Sequence, residues 1–257
     1  MTDQVISAAA ITASGPGHVQ DEALTLSFDL YERYSTLGHI VSGLFPVEEQ
    51  LHILDVGANS PYLWTGFSSL VKTFLPEARC TITDVEITAG LRDAVAASGL
   101  QLPFADQTFD VVCALDTLEH IPDQDREVFL NELLRVSGEI VYLTFPYSSV
   151  ENVWAERVVD TYLLDVLHSP VPQLKEHAAF GLPHLSFLDE LITSRNLTAI
   201  TCGHGNVDVW VFMMMASHTL RTHSLEMLRE LNVNFNRDCS ARDWRGPMRS
   251  SRSARAN

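Results

Sequence analysis

Lysine is nearly missing: Lys72 and Lys175 are the only two in 257 residues. Acidic residues outnumber Lys and Arg by 33 to 17, which leaves a formal net charge of −16. A surface of that sign repels a phosphate backbone, so a nucleic-acid partner is disfavoured. Cysteine is scarce as well. Cys80, Cys113, Cys202 and Cys239 lie far apart with no C-x-x-C pair, which indicates neither a zinc site nor a redox dithiol. No metal-ligand spacing is evident, and no metal is expected. Long apolar runs are also lacking. The most apolar one, Val207 to Ala216, is too short to span a bilayer, so no membrane insertion is expected. Residues Met1 to Val19 carry neither a positive start nor a long apolar stretch, unlike a signal peptide. A reducing cytoplasm fits the cysteine usage.

What is present suits a folded α/β protein. Hydrophobic residues make up 46% of the chain, enough to bury a large core, and only 19% are charged. The length suits one domain with additions. Positive charge gathers at the end. From Arg237 onward six Arg face Asp238 and Asp243, so that stretch is +4 and the rest is −20. Residues 237–257 therefore read as a basic, solvated, partly disordered tail. Residues 1–18, small and polar around Gly15-Pro16-Gly17, read as a flexible lead-in. The domain proper is placed at 19–236.

Within it, Asp21 to Phe45 has apolar residues at helical spacing. Strand and helix patterns then alternate. Leu51 to Val56 reads as a strand, Tyr62 to Leu75 as a helix, and Cys80 to Thr83 as a second strand ending at Asp84. Phe109 to Leu115 is a third, Val-rich strand. A helix follows from Asp123 to Val136, with Gly138 at its C-cap. Glu139 to Phe145 is a further strand, stopped by Pro146. This alternation implies βαβ units, a mostly parallel sheet flanked by helices, and strand C-termini along one ligand-binding edge. Little room is left between Asp84 and Phe104, so the helix and strand there must be short. About 148–197 is mainly helical and reads as an insertion, with Trp154, Val158, Tyr162, Val166 and Leu167 on one side, taken as core. Thr198 to Cys202 fits a strand, whereas Met248 to Asn257 does not.

Chemistry-bearing residues fall at the expected strand ends. Gly57, two positions after Asp55, lets the backbone turn sharply and approach a ligand. A carboxylate at Asp84 can accept both hydroxyls of a ribose, as in nucleotide-binding βαβ units. Leu102-Pro103-Phe104 offers an apolar shelf for an adenine ring. Asp55 and Asp84 alone would equally suit helix caps.

A longer string adds to this. Leu54-Asp55-Val56-Gly57, then Asp84, then LPFADQTFDVVCALDTLEHIPD (102–123) and FLNELLRV (129–136) resemble the class I S-adenosylmethionine-dependent methyltransferases. The resemblance covers roughly Leu51 to Pro146. It implies a Rossmann-like fold and S-adenosylmethionine as cofactor. Asp55 and Gly57 would shape the methionine end of the site, Asp84 would bind the ribose, and Leu102 and Phe104 would flank the adenine. Leu115 and Asp116 would lie beside the methionine moiety, and His120 close to the reacting methyl. The family's later loop glycines are replaced here by Asn59 and Pro61; Asn59 tolerates the left-handed backbone such a position uses. Ser98 stands where an acidic residue often accepts from the adenine amino group.

Glu176-His177 with Gly181-Leu182-Pro183 is in addition similar to a segment of methyltransferases found beside polysaccharide glycosyltransferases. The resemblance implies an O-methyltransferase acting on a sugar hydroxyl of a glycan, or on a small molecule in natural-product biosynthesis. An oxygen acceptor needs a base; His120 is the first candidate and His177 the second. The alternative is a non-catalytic interaction protein that keeps the fold, which Asn59, Pro61 and Ser98 motivate.

Overall fold

The computed structural model describes residues 23–46, 50–59, 69–88 and 90–240, together with the backbone of 249–251. The described residues form two compact units. One draws on residues up to 115, 131–143 and 232–240; the other on 116–130, 144–231 and 249–251.

The first unit holds a five-stranded sheet in the order β3-β2-β1-β4-β5. Its strands are β1 (His52–Val56), β2 (Arg79–Asp84), β3 (Ala94–Ala96), β4 (Phe109–Leu115) and β5 (Ser137–Thr144). β1 pairs in parallel with both β2 and β4, and β2 with β3. β4 shows why this sheet is parallel and central. Val111, Val112, Cys113 and Ala114 are all buried, a continuous apolar run with both faces covered. Its bounds are those the sequence gives. β3 has three residues, in keeping with the short interval after Asp84. Gly138 is not a helix C-cap: it lies in β5, which begins directly after α3 (Arg126–Val136). A Cβ there would lie 3.4 Å from the carbonyl oxygen of Phe109, so a small residue suits that approach.

Helix α1 (Phe28–Leu44) buries Tyr31, Tyr34, Leu37 and Val41 at spacings of three and four, one face of a helix. Tyr34, Leu37 and Val41 pack in a core with Leu51, Ile53, Val71, Cys80, Val111 and Cys113. Gly38 permits close approach of α2 (Val71–Phe74): a Cβ at 38 would stand 2.8 Å from Phe74 Cβ. Of the helix expected over Tyr62 to Leu75, residues 60–68 and with them Pro61 lie outside the described residues. Of the stretch read as a basic tail, residues 237–240 are the end of a helix. Helix α8 (Leu225–Ser240) runs through Arg237, and Asn236, fully buried, donates 2.9 Å hydrogen bonds to the carbonyls of Leu24 and Leu26. The Tyr31 hydroxyl meets Ser240 at 2.5 Å. These polar anchors are invisible in a composition count.

In the second unit lie α4 (Val150–Asp165), α5 (Pro172–Phe180), α6 (Leu185–Ser194) and α7 (Val207–His223). The buried face of α4 carries Ala155, Val159 and Leu163, the last two packed with Leu174, Trp210 and Met214. Trp154 and Val166, expected on the core side, are exposed at 57% and 59%. A second, small sheet pairs β6 (Ala199–Thr201) antiparallel with β7 (Arg249–Ser251), so a strand does form within the stretch that did not read as one. Among the described residues no helix is long and apolar enough to cross a membrane.

Candidate active site

In the first unit, β1 and β2 end side by side. Gly57 turns the chain with φ of +77°, a left-handed value that glycine adopts without penalty. Its N–H donates to the Thr83 carbonyl at 2.8 Å, which fixes the turn to the end of β2. Asn59 follows. Its backbone N–H donates to Asp84 Oδ2 at 3.0 Å, and its side-chain oxygen accepts from Thr88 N–H at 3.2 Å and the Thr88 hydroxyl at 2.7 Å. Asn59 works as a side-chain acceptor that gathers the loop after β2. Asp84 itself is half-buried, and its Oδ1 takes no hydrogen bond from the described residues. Ser98 uses its hydroxyl to accept from Leu100 N–H at 3.2 Å, closing a local turn.

Asp55 points the other way. It is 1% exposed, and its carboxylate accepts from Tyr34 (2.9 Å), Ser69 (3.3 Å) and the Cys113 thiol (3.5 Å). Burial pushes its pKa up to about 6 although these donors pull it down. The same burial, with Asp55 alongside, raises the Tyr34 phenol and the Cys113 thiol well above their usual values. Asp55 thus holds the end of β1 from inside the core.

The Leu102–Asp106 segment also has an internal task. Arg135 reaches it with one guanidinium, donating to the carbonyls of Leu102 (3.0 Å) and Phe104 (2.8 Å) and to Asp106 (2.9 Å). Glu132 holds Arg135 at 2.8 Å and accepts from Leu102 N–H at 2.8 Å. Leu102 is buried. Phe104 stacks edge-on against Phe109 at 4.9 Å, and Phe109 lies 4.4 Å from His52. Phe109 and His52 are the first residues of β4 and β1. Phe104 is therefore at the opposite edge of the sheet from Gly57 and Asp84, and the adenine role expected of it is corrected. A five-residue strand separates the two edges by roughly 16 Å. Leu115 packs its side chain in the core of the same unit.

The second unit assembles a different group of residues. Asp116 has φ of +47°, strained for a non-glycine residue; Thr144 holds it, accepting from its N–H at 2.8 Å and donating to Oδ1 at 3.2 Å. A 3-10 turn, Leu118–His120, packs against α5. His120 Nδ1 meets Glu176 Oε2 at 2.8 Å, and His177 Nδ1 meets Glu156 Oε1 at 2.8 Å. The two imidazoles face each other through their Nε2 atoms, 3.3 Å apart. Glu119 is fully buried, and one of its carboxylate oxygens lies within 4.8 Å of a ring nitrogen of each histidine. Burial and the facing His177 hold the His120 pKa below its ordinary value, against the pull of Glu176. Arg126, whose side chain is also buried, braces this turn. It donates to Ile121 O (3.0 Å), Asp123 (2.9 Å), Phe180 O (3.4 Å) and Gly181 O. His120 was singled out by sequence, and His177 ranked behind it. The facing pair and the two carboxylates behind it were not, because the partners lie 21 to 57 positions apart.

Residues 65–145 match the family model of a methyltransferase domain. Over those residues the chain is similar to methyltransferase domains. Among solved structures it is similar to the plantazolicin methyltransferase BpumL, at 11% identity over 87% of this chain and 81% of that one, with a TM-score of 0.46. It is also similar to an S-adenosylmethionine-dependent methyltransferase from Aquifex aeolicus, at 19% identity over 56% and 85% of the two chains, with a TM-score of 0.36. A methyltransferase domain of this class implies S-adenosylmethionine as its cofactor. The sheet edge fits the adenosyl part of that group. Asp84 is half-buried, the second oxygen of its carboxylate takes no hydrogen bond from the described residues, and the glycine at 57 has no side chain.

Proposed function

We propose that this methyltransferase domain is active and methylates a hydroxyl of a small molecule or of a sugar in a glycan or natural product. The observation that carries the reading is the pairing of the Gly57 turn with Asp84 at the ends of β1 and β2, tied by the 3.0 Å bond from Asn59 N–H to Asp84 Oδ2. When bound, S-adenosylmethionine supplies a methyl group already activated by its sulfonium. Asp84 binds the ribose through charge-assisted hydrogen bonds. Gly57 and Asn59 shape the loop beside it. Asp55 is a positioning residue that fixes this end of β1 through Tyr34, Ser69 and Cys113. Asp116 and the backbone at Leu115 are assigned to the methionine end by their place at the end of β4. His120 is assigned to activation of the acceptor. The net charge of −16 favours a neutral or cationic small acceptor over a nucleic acid. The resemblance around Glu176-His177 favours a sugar, and a reducing cytoplasm suits the enzyme.

Calorimetric titration of S-adenosylmethionine into the purified chain tests the reading. Binding is expected, and Asp84→Ala should weaken it by ~1–3 kcal/mol through loss of charged hydrogen bonds. Absence of binding heat at high micromolar cofactor would support the non-catalytic alternative. Unchanged affinity in Asp84→Ala would remove Asp84 as the ribose ligand. A radiolabelled-methyl screen over glycan, small-molecule and RNA acceptors then tests the acceptor class, and label in RNA alone would refute it.

A further inference from the structure

We propose that Glu119, His120 and His177 form a binding site for one divalent first-row transition-metal ion, zinc being the first candidate. The site departs from the expectation of no metal. That expectation rested on short ligand spacings, and here the ligands come from a 3-10 turn and from α5, 57 positions further on.

Geometry carries the argument. Glu176 and Glu156 are carboxylates 2.8 Å from the Nδ1 atoms of His120 and His177. That leaves the two Nε2 atoms to face each other, 3.3 Å apart. A shared proton would occupy these two nitrogens alone, whereas the Glu119 carboxylate belongs to the same cluster. A metal ion uses all three. The spacing agrees: two nitrogens each about 2.0–2.1 Å from a tetrahedral zinc ion lie roughly 3.3–3.4 Å apart. One carboxylate oxygen of Glu119 is already within 4.8 Å of a ring nitrogen of each histidine, and a side-chain movement of about 1–2 Å closes the set. Carboxylates behind both imidazoles are the usual outer partners of metal-bound histidine, fixing the tautomer and raising ligand basicity. Two imidazoles and one carboxylate form a donor set for zinc or iron(II) that leaves coordination positions open. Arg126, buried and bonded to the carbonyls on both sides, keeps the turn and the end of α5 together without entering the site.

What the open position holds rests on the methyltransferase reading: an acceptor hydroxyl or carboxylate oxygen. His120 then acts as a ligand and not as a free base, since both of its nitrogens are committed. The metal itself is tested independently of catalysis. The full chain is stripped with a chelator, dialysed against zinc(II), and assayed for metal content; cobalt(II) is added to a second portion and its visible absorption followed. One equivalent of zinc and a cobalt spectrum of low-symmetry nitrogen and oxygen coordination are expected. His120→Ala and His177→Ala should each abolish both signals. Glu176→Gln, which touches no metal, should weaken zinc binding by ~10–100-fold. Circular dichroism checks that each variant folds. Substoichiometric metal in the folded wild type, or a full equivalent retained by folded His177→Ala, overturns the site. Cofactor titration on the same samples separates the two readings. Cofactor bound without metal rejects the metal site alone, and metal bound without cofactor rejects the methyltransferase activity alone.

Discussion

Burial of the Asp55 carboxylate is a stored cost that a change of pH can expose. Unfolded, the group titrates near 3.8; folded, near 6. Between those values the native protein holds a proton that the unfolded chain has released, so stability falls as pH rises through the window. A gap of about two units corresponds to roughly 3 kcal/mol between pH 4 and 7. Asp55→Asn removes this contribution while keeping an acceptor for the Tyr34 hydroxyl. Urea unfolding of both proteins at pH 4 and pH 7.5 should show the wild type losing stability relative to the variant at the higher pH. Parallel behaviour would mean that the carboxylate is not held protonated. At this scale the sequence was informative about backbone roles and less so about side chains. Gly57 and Asp84 stand where strand ends and turn chemistry placed them. Asp55 turned inward because Tyr34, Ser69 and Cys113 converge on it from three separate segments, a convergence no local pattern encodes.

At the scale of elements, periodicity located α4 but set its buried face one residue away. Val158 and Tyr162 are partly buried, yet the core runs through Ala155, Val159 and Leu163, because α7 packs there. The distinction has a measurable consequence. Leu163→Ala removes a fully buried side chain and should cost about 2–5 kcal/mol. Trp154→Ala, at an exposed position, should change stability by less than about 0.5 kcal/mol despite removing a larger side chain. Chemical denaturation midpoints of the two variants check this, and a larger loss for Trp154→Ala would reverse the assignment of the face. Strand β4 was legible to its ends because a parallel strand covered on both faces reads as one apolar run. The segment before it was legible as a motif but not in its role. Arg135 and Glu132 bind its backbone from α3, and an ion-pair brace of that kind looks, in sequence, like any helix surface.

Across the whole molecule the excess of acid sets a different constraint. With 33 acidic residues and 17 Lys and Arg, nearly half of the carboxylates cannot have a basic partner of their own. Three of the described ion pairs are local, Asp29 with Arg33, Asp123 with Arg126 and Glu132 with Arg135, and Arg135–Asp106 and Arg195–Glu127 join more distant positions. Exposed pairs of this sort contribute at most about 1 kcal/mol each, and salt screens them. Self-repulsion among the remaining acids opposes folding, and salt screens that as well. The two effects have opposite signs, and the arithmetic of charge decides between them. Repulsion involves a net −16, whereas few pairs are lost on screening. Thermal unfolding at pH 7.5 should therefore shift upward between 20 mM and 500 mM sodium chloride, by roughly 2–4 °C for each 1 kcal/mol of relieved repulsion. A midpoint that falls with salt would show that the ion pairs, and not the excess acid, dominate the electrostatics of this chain.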